Sequence, residues 1–446
     1  MSEFDKIIGY ADIKDELIRF CDVLKNFKEY KRMGVEIPSG ILLYGEPGIG
    51  KTILAKSFIK ESKIKSFTIR KDKHSREFVN HIRNTFDKAK KEECAIIFLD
   101  DIDKFANEDD FHKDAEEYVV VQSCIDDCKG SNVFVLSTAN NIYCLPNSLM
   151  RAGRFDKVIQ MTCPDGDDAK KIIKHFLSKK RVLGDIDIDD ISSFLVGHSC
   201  AELEMVINEA GIYAVFDKRA KIDQRDIIKA CMRLIFDAPE SVEYIDSNIL
   251  KKVAVHEAGH AVMTELTPGA DPVHKVTIIP RGDAGGFMMP LPEEKLVTTS
   301  RQMLAEIKVL FGGRAAEEIG LDDVSTGAYS DIKRATKVAR AYVESVGMSK
   351  KLGPINFENS DDEYSFAPNK SDETVREIDL EIRQILNDEY RQTVETLREN
   401  RAKLDGIAEL LLKKETITGD EVRKIISGVS VQELLDNSEK KDSSDS

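Results

Sequence analysis

Ile41-Leu42-Leu43-Tyr44-Gly45-Glu46-Pro47-Gly48-Ile49-Gly50-Lys51-Thr52 is the stretch on which the fold turns. Its first four residues are a short apolar run, which reads as a buried parallel strand. The glycine-rich loop that follows opens the helix expected from Thr52 to about Lys60. Strand, loop and helix in that order are the context in which G-x-x-x-x-G-K-T cradles phosphates. The glycines of Gly45-Glu46-Pro47-Gly48-Ile49-Gly50 let the loop's backbone N–H groups wrap the phosphates, Lys51 reaches the β and γ groups, and the Thr52 hydroxyl ligates Mg²⁺. ATP and Mg²⁺ are therefore the expected ligands.

Two further apolar runs extend the pattern. Ala95 to Leu99 reads as a second buried strand, closed by Asp100-Asp101, and Val133 to Ser137 as a third. Strands alternating with helical stretches predict an α/β parallel sheet. Asp100, at a strand end, is placed to complete the magnesium site. Asp101 is unusual, because ATPases of this type usually place a Glu there to orient the attacking water. Asp is one methylene shorter, so slower hydrolysis is expected.

Asp165-Gly166-Asp167-Asp168 breaks the pattern, and from there to about Asp237 the chain reads as helical. After Ala238-Pro239-Glu240 a second constellation appears, Val255-His256-Glu257-Ala258-Gly259-His260. Two imidazoles four residues apart on a helix point at one ion, and Glu257 can reach a water held on it. That is the equipment for hydrolysing a peptide bond with zinc. Leu250, Val253, Ala254, Ala261, Val262 and Leu266 lie at core-type spacings, and Pro268-Gly269 ends the helix. A catalytic zinc needs a third protein ligand. From the residues alone Glu317, Glu318, Asp322, Asp323 and Asp331 all remain candidates. One hairpin is expected, Lys275 to Ile279 with Gly285 to Leu291 around Pro280-Arg281-Gly282-Asp283; His274, after Pro272, reads as structural.

Bulk properties narrow the class. The 446 residues are 41% hydrophobic and 33% charged, with 65 Lys+Arg against 80 Asp+Glu and a net charge of −15. That reads as a globular, helix-rich chain without a broad nucleic-acid surface, so no nucleic-acid partner is expected. No apolar run of 18 residues exists, so no membrane span is expected, and the N-terminus has no secretory pattern. The eight cysteines are scattered, which suits reduced thiols in a cytoplasmic protein.

Asp5-Lys6-Ile7-Ile8-Gly9, the phosphate loop, the Asp100-Asp101 strand end and Ser148-Leu149-Met150-Arg151-Ala152-Gly153-Arg154-Phe155-Asp156 together resemble an AAA ATPase. With His256-Glu257-Ala258-Gly259-His260 the chain resembles the FtsH family of ATP-dependent zinc metalloproteases, from about Phe4 to about residue 425. The resemblance implies an α/β AAA+ domain, a parallel sheet flanked by helices, over 1–165 and a helical lid over 166–240. A mostly helical zinc metallopeptidase domain follows over 241–430; beyond the resemblance, the charged, Ser-rich end of the chain reads as a disordered tail over 431–446.

It also implies roles. Ile8 and Gly9 line the adenine pocket, Asn140 senses the γ-phosphate, and Arg151 and Arg154 reach into the ATP site of a neighbouring subunit. Ser325-Thr326-Gly327-Ala328-Tyr329-Ser330-Asp331 looks like the motif whose aspartate completes the zinc site. The resemblance therefore picks Asp331, with Glu317 as runner-up and Glu317 or Glu318 behind an imidazole. A six-membered homo-oligomeric ring acting on protein or unfolded polypeptide substrates is implied, as is an edge strand in the hairpin that pairs with extended peptides.

Two features depart from the family. Its members carry N-terminal membrane helices, whereas here the ATPase motif begins near Phe4, and Met1 is expected to be a natural start. The family's aromatic-glycine pore segment is replaced by Ile69 to Asn80, where Phe78 or His74 would substitute, or where a shortened helix grips nothing. The acidic Asn107 to His112 stands where an arginine- and glycine-rich linker is expected. Two other classes fit the same residues: an AAA chaperone with a vestigial protease, and an ATP-independent peptidase with weak ATPase activity.

Overall fold

Three buried strands build the centre of the first unit: β1 (Gly40–Tyr44), half-buried only at Tyr44, β3 (Ala95–Leu99) and β4 (Val133–Ala139). Adjacent residues face opposite cores. Leu42, Ile97, Leu99 and Val135 pack on one face of the sheet, and Ile41, Leu43, Ile96, Phe98 and Leu136 on the other. Both faces are covered, which is why these strands are continuous apolar runs. The strands β2 (Lys65–Ile69) and β5 (Lys157–Gln160) complete a five-stranded parallel sheet in the order β2-β3-β4-β1-β5. These two were not expected from the sequence. They lie at the sheet edges and are largely exposed, so they lack an apolar run. Four helices, Gly166–Leu177, Ile188–Phe194, Cys200–Phe216 and Gln224–Phe236, follow the sheet as expected.

The computed structural model describes residues 2–36, 38–72, 75–106, 115–151, 153–236, 246–280, 285–291, 297–357 and 370–442. His74, Asn107 to His112, Ala152, Ala238-Pro239-Glu240 and the Arg281-Gly282-Asp283 turn lie outside them. The chain divides into two compact units, Met1–Leu234 and Ile235–Ser446. No helix among the described residues is long and apolar enough to cross a membrane.

The second unit is built around the helix Ser247–Leu266, which is buried continuously from Ala254 to Thr264. The helix Ser300–Leu321 crosses it at glycine. A Cβ added to Gly259 would collide with the Gly312 carbonyl, and one added to Gly312 would lie 2.7 Å from the Gly259 carbonyl. Only glycine at both positions lets the two backbones touch, and this contact seats the histidine helix against its neighbour. Helices Tyr329–Glu344, Asp372–Glu399 and Arg401–Lys414 complete the bundle.

A small antiparallel sheet flanks it: β6 (Val273–Thr277) lies between β7 (Phe287–Pro290) and β8 (Thr416–Thr418). The expected hairpin is thus present with β6 beginning earlier, and β8, three residues long, was not anticipated. The expected tail boundary is corrected. Residues Val431–Asp442 form a helix in which Leu434 is buried and Val431 and Leu435 pack on the core, a helical apolar spacing that a charged composition hides.

Candidate metal centre and nucleotide site

One buried helix delivers three groups. His256, Glu257 and His260 are 8%, 6% and 7% exposed, so the spacing that puts both imidazoles on one face also puts them in the core. Their Nε2 atoms lie 3.1 Å apart, and Asp331 Oδ2, from the start of the helix Tyr329–Glu344, is 3.4 Å from each. Tetrahedral zinc with ligand bonds of about 2.0–2.1 Å would hold its donor atoms roughly 3.3 Å apart. Among the described residues this is the one group of three or more His, Cys, Asp or Glu side chains with donor atoms converging on a common point.

The far side of each ring fixes its tautomer. His256 Nδ1 is 2.7 Å from Glu317 Oε1, and His260 Nδ1 is 2.7 Å from the Val309 carbonyl. Both partners act as acceptors, so both rings donate from Nδ1 and turn a lone pair on Nε2 inward. Glu317 is itself held by the Ser325 N–H at 2.6 Å and the Ser325 hydroxyl at 2.9 Å. This corrects the runner-up: Glu317 faces the wrong nitrogen to be a direct ligand. Glu317 is the glutamate behind an imidazole, and Glu318 is not, since it accepts the Tyr390 hydroxyl at 2.6 Å. Asp322 and Asp323 are exposed.

The electrostatics ask for a cation. Burial opposes charge on His256, yet hydrogen bonds to Asp331 and Glu317 overcome it and push its pKa up to about 10. Burial also opposes charge on Asp331, but the two imidazoles hold it well below the usual carboxylate range. Inward-facing donors that recruit a proton this strongly fit a divalent metal. Glu257 goes the other way: burial raises its pKa, which makes its carboxylate the more basic. It faces the small sheet, where a Cβ on Gly286 would lie 3.0 Å from Glu257 Cγ.

In the first unit, Gly50 ends the phosphate loop with φ of 98°, a left-handed conformation, and Lys51 opens the helix Lys51–Ser62. Lys51 is buried, and its Nζ donates to the carbonyls of Gly45 and Glu46 at 2.8 and 2.7 Å. Burial pushes its pKa down, and Asp101 and Asp103 act against that. The Thr52 hydroxyl donates to Asp100 Oδ1 at 3.1 Å, which brings the two expected magnesium ligands together. Thr138, not singled out from sequence, donates to the same oxygen at 3.0 Å.

Asp101 follows with φ of 55° and an ion pair to Lys104 at 2.6 Å. Asn140 sits just past β4, its N–H donating to Asp103. It lines a cleft of about 380 Å³ together with Gly45, Glu46, Met161 and Cys163.

Ile8 and Gly9 precede Tyr10, whose hydroxyl lies 3.0 Å from the carbonyls of both Ile49 and Thr162. The Ala201 N–H donates to the Gly48 carbonyl at 3.0 Å, so the capped start of the helix Cys200–Phe216 also touches the loop. Tyr10 and Ala201 were missed from sequence; the one signal available was the Ser199-x-x-Glu202 capping box.

One expected role needs correction, and one expected residue is paired within its own chain. Arg154 is 13% exposed, and its guanidinium makes two bonds to Asp126, at 2.9 and 2.7 Å, and one to the Ser148 carbonyl. In the single chain it is committed to these two partners. Arg151 is exposed. Phe78 is fully buried, edge-on to Phe105 at 5.1 Å, so it cannot replace a surface aromatic.

Two family models match the chain: the ATPase family associated with various cellular activities (AAA) over residues 41–163, and peptidase family M41 over residues 243–425. Three relatives carry the name ATP-dependent zinc metalloprotease FtsH. That of Leptotrichia buccalis is 52% identical over 99% of this chain and 59% of its own length. That of Streptobacillus moniliformis is 41% identical over 97% of this chain and 65% of its own, and that of Caldicellulosiruptor bescii 37% identical over 95% and 72%. The chain thus spans about three fifths of the first of these relatives.

Proposed function

This chain belongs to the FtsH family of ATP-dependent zinc metalloproteases, and on that premise we propose that it is an ATP-dependent zinc endopeptidase acting on protein or unfolded polypeptide substrates. We place it in the cytoplasm as a homo-oligomeric ring of six. The observation that carries the reading is the convergence of His256, His260 and Asp331 on one point, beside a buried Glu257.

Zinc held by His256, His260 and Asp331 would supply the Lewis acid that polarises the scissile carbonyl and acidifies a water. The chain's own residues do the rest. Glu257 takes the proton from water on its carboxylate and delivers it to the leaving amine. Glu317 and the Val309 carbonyl keep both imidazoles in the ligating tautomer. Strand β7 is an outer strand of its sheet among the described residues, and such a strand can bind an extended peptide through backbone bonds, which accepts many sequences.

At the other site, magnesium would be held by Thr52 and Asp100 and would neutralise charge on the phosphates. Lys51 binds the terminal phosphates, Asn140 reports on the γ group, and Asp101 orients the attacking water. Arg151, not Arg154, is the residue available to a neighbouring site. The test is casein cleavage with ATP, with ADP and with a zinc chelator. Cleavage with ATP alone is expected. Equal cleavage with ATP and ADP would point to an ATP-independent peptidase, and ATPase activity without cleavage to a chaperone.

A further inference from the structure

We propose that Lys104 is a positioning residue for ATP hydrolysis, fixing the short carboxylate of Asp101 where it can orient water. The proposal rests on the reading of the nucleotide site given above. The main chain at Asp100-Asp101 is clamped: the Asp101 N–H donates to Thr138 Oγ1 at 3.0 Å, and Asp100 Oδ1 receives both Thr52 and Thr138. What remains free is rotation of the Asp101 side chain. A Glu would reach about 1.5 Å further, so a misaligned Asp has less margin.

Lys104 ends the short 3₁₀ turn Ile102–Lys104, where residues three apart stack on one side. Its ammonium lies 2.6 Å from Asp101 Oδ2. That contact removes the rotation and leaves Oδ1 for water. Among the described residues a second cation, Arg70, lies 4.0 Å from the same Oδ2 and 3.9 Å from Asp100 Oδ2, beyond hydrogen-bonding distance. The lysine side chain is 57% exposed, and an exposed ion pair adds little to stability. Its removal should therefore leave the fold intact.

The experiment is steady-state ATPase kinetics on the full chain for wild type, Lys104→Met, Lys104→Arg, Asp101→Glu and the double variant Asp101→Glu/Lys104→Met, with circular dichroism as the control for folding. Lys104→Met is expected to lower kcat roughly tenfold with the KM for ATP unchanged, because a misplaced catalytic group costs rate and not binding. Lys104→Arg is expected to recover most of the loss. In the Asp101→Glu background the longer carboxylate needs no help, so Lys104→Met should change kcat less than about twofold. Wild-type kcat in Lys104→Met, a loss expressed in KM, or the same loss in both backgrounds would overturn the proposal. Wild-type protein that turns over no ATP would overturn the reading of the nucleotide site itself, which keeps the two failures distinct.

Discussion

At the metal centre each imidazole has an acceptor inside the chain: Glu317 behind His256, the Val309 carbonyl behind His260. The inward nitrogens and Asp331 then face one another, with Glu257 beside them. At the nucleotide loop the wiring is of another kind. Lys51 and Thr52 bond to Glu46 and Asp100, but Asp101 is tied to Lys104 and Arg154 to Asp126. A site whose geometry closes among three helices of one unit is set by the folding of that unit. A site whose Lys51 rests on backbone carbonyls and whose Arg154 is held by Asp126 would exchange those partners to meet a nucleotide, while the Asp101–Lys104 pair can stay in place.

The largest effect that would break this contrast is at Glu257. Glu257→Gln should lower peptide cleavage by up to ~10⁴-fold while zinc content, read by atomic emission, stays at wild-type level. Zinc lost together with activity would make Glu257 part of the metal's support and not the base. Next, Arg151→Ala should lower ATPase turnover by about 10³-fold, and mixing it with a Lys51→Ala chain should restore part of the activity, since each supplies what the other lacks. Arg154→Ala should behave differently. Removing one of the two cations that pair with Asp126, the other being Lys129 at 3.0 Å, should cost about 1–3 kcal/mol of stability in denaturant unfolding of the first unit. An Arg154→Ala chain of full stability with a collapsed ATPase rate would reverse the assignment of the two arginines.

Smaller effects sharpen the comparison. Glu317→Gln should weaken zinc about 10–100-fold in a chelator competition, because the far side of His256 loses its charged acceptor; unchanged affinity would detach Glu317 from the site. Asp101→Glu should raise ATP turnover a few-fold, on the order of what one methylene of reach restores. No gain would mean that Asp101 already sits where it is needed.

How much of this was legible depends on what the residues do locally. Ile41 to Thr52 and His256 to His260 carry their geometry in consecutive positions, so spacing alone announces them. The edge strands β2 and β5 do not, because Lys65-Ser66-Phe67-Thr68-Ile69 and Lys157-Val158-Ile159-Gln160 are half-solvated and lack a continuous apolar run. Asp331 lies far down the chain from His260, and several carboxylates between them fit composition equally well. Only folding brings Asp331 to the rings and turns Glu318 away to Tyr390. The fate of Arg154 was hidden for the same reason: its partner, Asp126, sits on another element.

Zinc content of the purified chain and of its Asp331→Asn variant tests the central claim most directly, each measured after replenishment and desalting. The account predicts one equivalent per wild-type chain and substantially less in the variant, with both proteins folded by circular dichroism. A folded wild-type chain that retains no stoichiometric zinc, or a variant that holds it as well as the wild type, would contradict it.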